Sequence, residues 1–203
     1  MTRTIYAGLL LLMISLVTTP CRADGAFITA AINWPGGKAQ FFLSDGTYVR
    51  YDIAADRADP GYPKPVDDGT WPGMGGYGTK IIAAFNTRDN KAIFILSTGD
   101  YLRYDIASDR VDPGYPRPVN DETWPGLEPF ASSISGAINW ANGKVYIFFS
   151  DGRYVRYDIA ADHVDAGYPK PINEQTWPGL NTYFQKKSSG LSTRGKFGRS
   201  GLG

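Results

Sequence analysis

The chain has 203 residues, 42% hydrophobic and 14% aromatic, with 24 Gly, 14 Pro and one Cys, which suits one globular domain and excludes a disulfide framework or a collagen-like chain. The net charge of +1 conceals a split, because Arg3, Arg22, Lys186, Lys187, Arg194, Lys196 and Arg199 lie at the two ends and leave 14 cations against 20 carboxylates elsewhere. An acidic body argues against nucleic acid as a partner and mildly favours cations, metal ions and polyamines among them.

The N-terminus carries Arg3, an apolar run from Ile5 to Val17, and then Thr18-Thr19-Pro20-Cys21-Arg22-Ala23. This is the layout of a secretory signal, and the run is too short for a bilayer span of about 20 residues. Residues 1–23 are therefore expected to be a signal peptide cleaved after Ala23, giving an extracellular or periplasmic protein with no membrane span. Cleavage there leaves a mature chain without cysteine, so its stability must come from its core.

From residue 24 one unit recurs three times at a fixed spacing of 53 residues. Trp-Pro-Gly at Trp71, Trp124 and Trp177 sets the register, shared by Tyr51, Tyr104 and Tyr157 and by Tyr62, Tyr115 and Tyr168. A period of this length points to propeller blades or solenoid coils. Each unit opens on a short apolar segment, Ala30 to Asn33 in the first copy, followed by a Pro-Gly turn at Trp34-Pro35-Gly36-Gly37. A second run, Ala39 to Ser44, leads through the hairpin dipeptide Asp45-Gly46 into Tyr48-Val49-Arg50-Tyr51-Asp52-Ile53. The spacing predicts a three-stranded antiparallel meander. Pro60, Pro63 and Pro65 then allow only a crossing loop or a proline-limited edge strand. Asp67, replaced by Asn120 and Asn173, reads as the cap of one short helical turn that reaches Trp71 and is closed by Pro72-Gly73.

The second strand is apolar on both faces: Ala39, Phe41 and Leu43 lie on one, Phe42 on the other, with matching residues in the next two units. A sheet apolar on both sides must be covered on both sides, which radial packing between neighbouring blades provides. The expected architecture is all-β, a propeller over residues 24–184 with blades at about 24–76, 77–129 and 130–182.

Tyr-Val-Arg-Tyr-Asp at Tyr48 to Asp52, Asp-Pro-Gly-Tyr-Pro-Lys at Asp59 to Lys64, and Thr-Trp-Pro-Gly at Thr70 to Gly73, repeated in order in each unit, resemble the hemopexin-like repeat. The resemblance implies a four-bladed β-propeller around a narrow channel, of the kind found in hemopexin, vitronectin, matrix metalloproteinase C-terminal domains, plant seed albumins and secreted bacterial proteins. It also implies a calcium or sodium ion in the channel, held by backbone carbonyls, for which Ala30, Ile32, Ala83, Phe85, Gly136 and Ile138 are the candidates. The family's inner strand usually begins Asp-Ala, and Ala30, Ala83 and Gly136 stand at that place here. Only three blades are recognisable. Residues 185–203 read as a disordered basic tail or the remnant of a degenerate or missing fourth blade, and an oligomer could complete the open propeller.

Catalytic chemistry has few candidates. His163 stands alone, where the other units carry Arg57 and Arg110, so a surface role is expected and paired haem ligation is disfavoured. Asp52, Asp56 and Asp59 recur in every unit, as turn and cap residues or as a cation site at each blade edge. The main asymmetric acids, Glu122 and Glu174, lie in the capped turn and form no evident acid–base pair. Units one and three agree at 29 of 45 positions between residues 30–74 and 136–180, so differences between units are the better guide to function. Trp34 and Trp140 occupy a turn where unit two has Thr87, which makes them candidates for contact with a sugar, polyamine or protein, or simple covers for their own hairpins. The expected function is that of a secreted non-catalytic binding module for a protein or surface partner. A polyamine- or haem-binding storage or scavenging protein is the alternative, and a carboxylate-dependent glycosidase ranks last.

Overall fold

The computed structural model describes residues 25–180; the expected signal at 1–23 and the basic tail at 185–203 lie outside them. The three repeats form three separate antiparallel sheets. The first, blade 1, comprises β1 (Ile28–Trp34), β2 (Lys38–Leu43) and β3 (Thr47–Asp52), with the two-residue strands β4 (Arg57–Ala58) and β5 (Lys64–Pro65) both paired to β3. Blade 2 repeats this as β6 (Ile81–Asn86), β7 (Lys91–Leu96), β8 (Asp100–Asp105), β9 (Arg110–Val111) and β10 (Arg117–Pro118). Blade 3 holds β11 (Ile134–Asn139), β12 (Lys144–Phe149), β13 (Arg153–Asp158), β14 (His163–Val164) and β15 (Lys170–Pro171). The meander read from the sequence is thus present in every unit. Its outer edge is broken into two fragments because prolines without an N–H interrupt the ladder between them.

The capped turn is shorter than a helix. Asp67 accepts hydrogen bonds from the N–H groups of Gly69 and Thr70, and Trp71 N–H closes one turn on Asp67 O at 2.7 Å. Pro72 and Gly73, the latter at φ +89°, stop it there. The regular 3₁₀ helices sit instead in the links, at Gly78–Lys80 and Glu128–Ser133.

Blades pack face to face, and alternate residues of one strand serve two cores. Blade 1 turns Ile32, Phe42 and Tyr48 toward Phe94, Leu102 and Tyr104 of blade 2. The opposite face of blade 2, with Phe85, Ile93 and Ile95, meets Val145, Ile147 and Tyr157 of blade 3. The Trp-Pro-Gly turn sits at each seam. Trp71, 3% exposed, packs at steep ring angles against Phe42 (5.1 Å between centroids) and Tyr48 (5.4 Å) of its own blade and against Tyr104 (5.1 Å) of the next. Trp124 likewise meets Phe85 (5.4 Å) and Tyr101 (5.5 Å) of its own blade and Tyr157 (5.2 Å) of blade 3. Beside each indole a backbone hydrogen bond ties the two blades: Val111 N–H donates to Pro72 O (2.9 Å) and Val164 N–H to Pro125 O (3.2 Å). The approach is close enough to require glycine after the proline, since a Cβ at Gly73 would lie 2.7 Å from Val111 Cβ.

Removing a seam indole opens a cavity between two sheets. Trp71→Ala or Trp124→Ala is expected to cost about 3–5 kcal/mol in urea unfolding, the range for a buried large aromatic. Trp177→Ala, whose indole has no following blade among the described residues, should cost clearly less; equal losses at all three positions would contradict this seam.

Candidate functional site

Among the described residues the propeller is open between blade 3 and blade 1. Trp177 keeps the rings of its own blade, Phe148 (5.3 Å), Tyr154 (5.4 Å) and Tyr146 (5.5 Å), but no ring of a following blade reaches it among the described residues. A Cβ built on Gly179 would have nothing within 4 Å, where its counterparts Gly73 and Gly126 press on valines. Both sheets flanking the gap are apolar. On blade 1, Ala39, Phe41, Leu43, Val49 and Tyr51 are half-buried, whereas the residues 53 positions on, Ala92, Phe94, Leu96, Leu102 and Tyr104, are fully buried between blades. On blade 3, Ile138 is 47% exposed where its counterparts Ile32 and Phe85 are 5% and 1% exposed. A cleft of about 270 Å³ runs between these faces, lined by Ala31, Asn33 and Phe41 on one side and Ile138 and Asn139 on the other.

The backbone around the channel differs from the sequence expectation. Thr87 N–H donates to Lys91 O and Trp140 N–H to Lys144 O. In an antiparallel ladder, alternate residues direct both backbone groups to the same side. With the registers Phe85↔Ile93, Ala83↔Ile95, Ile138↔Tyr146 and Gly136↔Phe148, the carbonyls of Ala83, Phe85, Gly136 and Ile138 turn into their own sheets. Ala30 and Ile32 hold the same places in blade 1, paired with Phe42 and Gln40. The groups that face the channel belong to the intervening residues, as Asn86 shows: its N–H and C=O both hydrogen-bond the side-chain amide of Asn139 in blade 3, at 2.7 and 2.8 Å. No group of three or more His, Cys, Asp or Glu side chains placed to hold a metal occurs among the described residues.

The two tryptophans singled out by comparing units lie in different surroundings. Trp34 is half-buried at the seam of blades 1 and 2, 5.0 Å from Trp71 and 6.1 Å from Tyr104. Trp140 is 46% exposed on the open side, against Tyr146 (5.2 Å) and Trp177 (5.8 Å).

The hemopexin family model matches residues 134–182, which is the third blade. The third blade is a hemopexin repeat. Over 113 residues the chain is 34% identical to the macrophage metalloelastase of Oryctolagus cuniculus, covering 52% of this chain and 23% of that protein, so it spans about a quarter of that relative's length. Among solved structures, LS24, a seed albumin from Lathyrus sativus, superposes with a TM-score of 0.63 at 25% identity over 75% of this chain and 70% of its own. The hemopexin fold protein CP4 from cow pea gives 0.62 at 22% identity over 77% of this chain and 72% of its own.

In each blade the recurring carboxylates are bound into one charged cluster. Lys91 bridges Asp105 (2.7 Å) and Asp112 (3.1 Å), and Asp112 also accepts from Arg103 (2.6 Å). Lys38, Asp52, Asp59 and Arg50 do the same in blade 1, and Lys144, Asp158, Asp165 and Arg156 in blade 3. The Lys91 ammonium, with the backbone N–H of Ser108, holds the Asp105 carboxyl down to about 2, and Lys144 with Ala161 does so for Asp158. The third recurring acid caps a tyrosine: Tyr104 and Tyr157 donate to Asp109 and Asp162, each at 2.8 Å. These acids join the third strand of a blade to its outer fragment, which is a structural task. His163 is exposed on β14, and the Glu174 carboxylate accepts from Gly179 N–H within its own turn.

The open-side aromatic faces, Phe41 and Tyr51 on blade 1 and Tyr146 and Phe148 on blade 3, were not separable as a site from the sequence. Their pattern is the same as that of buried copies. The available signal was the lack of polar substitution on the terminal faces of the array, where stacked repeats ordinarily end in a polar cap.

Carboxylates held below their unfolded range near 3.8 stabilise the fold at neutral pH and release that stabilisation as the pH falls through their folded values. Circular dichroism is therefore expected to show native structure down to about pH 4 and its loss between about pH 4 and 2. A transition centred above pH 5 would contradict this role for the clusters.

Proposed function

We propose that this chain is a secreted, non-catalytic binding module whose recognition surface is the pair of apolar blade faces at the open side. Its partner is a protein that presents a blade-like sheet, and a second copy of the chain is the first candidate. The observation that carries this is positional. The free face of blade 1 matches residue for residue the faces that blades 2 and 3 bury, and the free face of blade 3 matches those that blades 1 and 2 bury. Exposed apolar surface of this extent, on sheets shaped to receive another sheet, is characteristic of an interface. The contact would be heterologous, blade 3 of one body against blade 1 of another, so it can close into a ring or extend.

A cation in the channel is a second, separable feature. Alternation along the inner strands directs the carbonyls of Ala31, Ala84 and Ala137 to the axis, and hard cations take oxygen donors of this kind. A thermal midpoint raised by calcium or sodium would support it, since a ligand that binds only the native state must stabilise it. No shift with either ion would remove it.

Sedimentation tests the interface. The wild-type chain should associate, and Phe41→Asp and Phe148→Asp should each be monomeric alone, because each spoils one of the two faces. Mixed, the two variants should form a one-to-one complex through the faces that remain. A wild-type chain that is a monodisperse, cooperatively unfolding monomer would overturn the proposal.

A further inference from the structure

The clefts at the two seams are the same site one repeat apart. Between blades 1 and 2 the walls are Trp34, Gln40, Tyr48, Arg50, Trp71 and Asp109. Between blades 2 and 3 they are the residues 53 positions on: Thr87, Ile93, Tyr101, Arg103, Trp124 and Asp162. The cavities nevertheless differ about threefold, 160 Å³ against 490 Å³. The cause is local. In the first cleft the Trp34 indole lies edge-on over Trp71, 5.0 Å away at 67°, and 6.1 Å from Tyr104. In the second, Thr87 stands in its place and turns back to hydrogen-bond Asp89 and Lys91 O within its own hairpin. The floor is unchanged, with Trp124 and Tyr157 5.2 Å apart where Trp71 and Tyr104 are 5.1 Å apart. Trp124 is 7% exposed, and its Nε1–H, like those of Trp71 and Trp177, is buried without an acceptor among the described residues. Blade 2 therefore keeps an aromatic seat and lacks the side chain that fills it.

We propose that the cleft between blades 2 and 3 binds a planar aromatic ring the size of an indole, seated over Trp124 and Tyr157 as Trp34 is seated over Trp71 and Tyr104. The attraction is edge-to-face packing of the ring on the indole and phenol beneath it, together with removal of apolar surface from water. The walls are largely pre-formed and the mouth is open to solvent, as ligand clefts usually are. This site is independent of the open side, because it lies on the opposite seams of the ring and shares no wall with the cleft there.

The ring can come from a free small molecule or from an exposed tryptophan of another protein, and two probes separate these sources. Indole itself tests the first and N-acetyltryptophanamide the second, each by saturation-transfer NMR and calorimetry on the full chain. Binding of indole at one site per chain is expected, and binding of the amide as well would favour a protein source. Thr87→Trp should fill the cleft, raise the thermal midpoint and weaken either probe by at least about tenfold, because the seat is already occupied. Trp34→Thr should open the equivalent cleft and raise the stoichiometry to two sites. Absence of indole binding to the wild type, or binding unchanged in Thr87→Trp and a single site in Trp34→Thr, would overturn the proposal.

Discussion

The indole of the Trp-Pro-Gly turn, wedged at Trp71 and Trp124 between its own sheet and the next, is the constraint on which the molecule depends. A blade apolar on both faces cannot stand alone in water, and the turn that ends one blade is what fixes the distance to its neighbour. The indole fills the seam, the proline carbonyl accepts an N–H from the next blade's outer strand, and the glycine allows the backbones to come close. Among the described residues, blade 2 alone has both seams made, while blades 1 and 3 each have one seam made and one face left over, and that asymmetry separates two ends that are otherwise near copies.

The charges perform a different task from the aromatics. Each blade ties its third strand to its outer fragment through one lysine, one arginine and two aspartates. Exposed pairs contribute little singly, but a four-member network repeated in each blade compensates for an outer strand that prolines keep from forming a full ladder. The result is an acidic body whose carboxylates are mostly occupied. The recognition surfaces proposed above are therefore the more apolar ones: the faces at the gap and the unfilled aromatic seat between blades 2 and 3.

Much of this fold was legible in the sequence because a gapless repeat presents each blade three times. Strand order, the proline-broken edge and the Asp67 cap followed from spacing and residue type; the place of Trp71 and Trp124 between blades did not. The register of the backbone did not either. Which carbonyls face the channel depends on whether Phe85 or Asn86 is the hydrogen-bonded member of its pair, and side-chain pattern alone does not distinguish them. Nor could Trp34 and Trp140 be told apart: both follow the same Ile-Asn dipeptide, yet one has a neighbouring blade to pack on and the other does not. The replacement of Trp34 by Thr87 was visible, but its consequence, an open seat above Trp124, needed the packing of two blades.

The five indole N–H resonances report most directly on the claim that the ring is open between blades 3 and 1. With Phe41→Asp to keep the chain monomeric, a soluble paramagnetic agent should broaden the signal of Trp140, 46% exposed beside the gap, more strongly than that of its half-buried counterpart Trp34, and leave those of Trp71 and Trp124 sharp. A Trp140 signal as protected as that of Trp34 would contradict the account, because it would mean that the third seam is closed within a single chain.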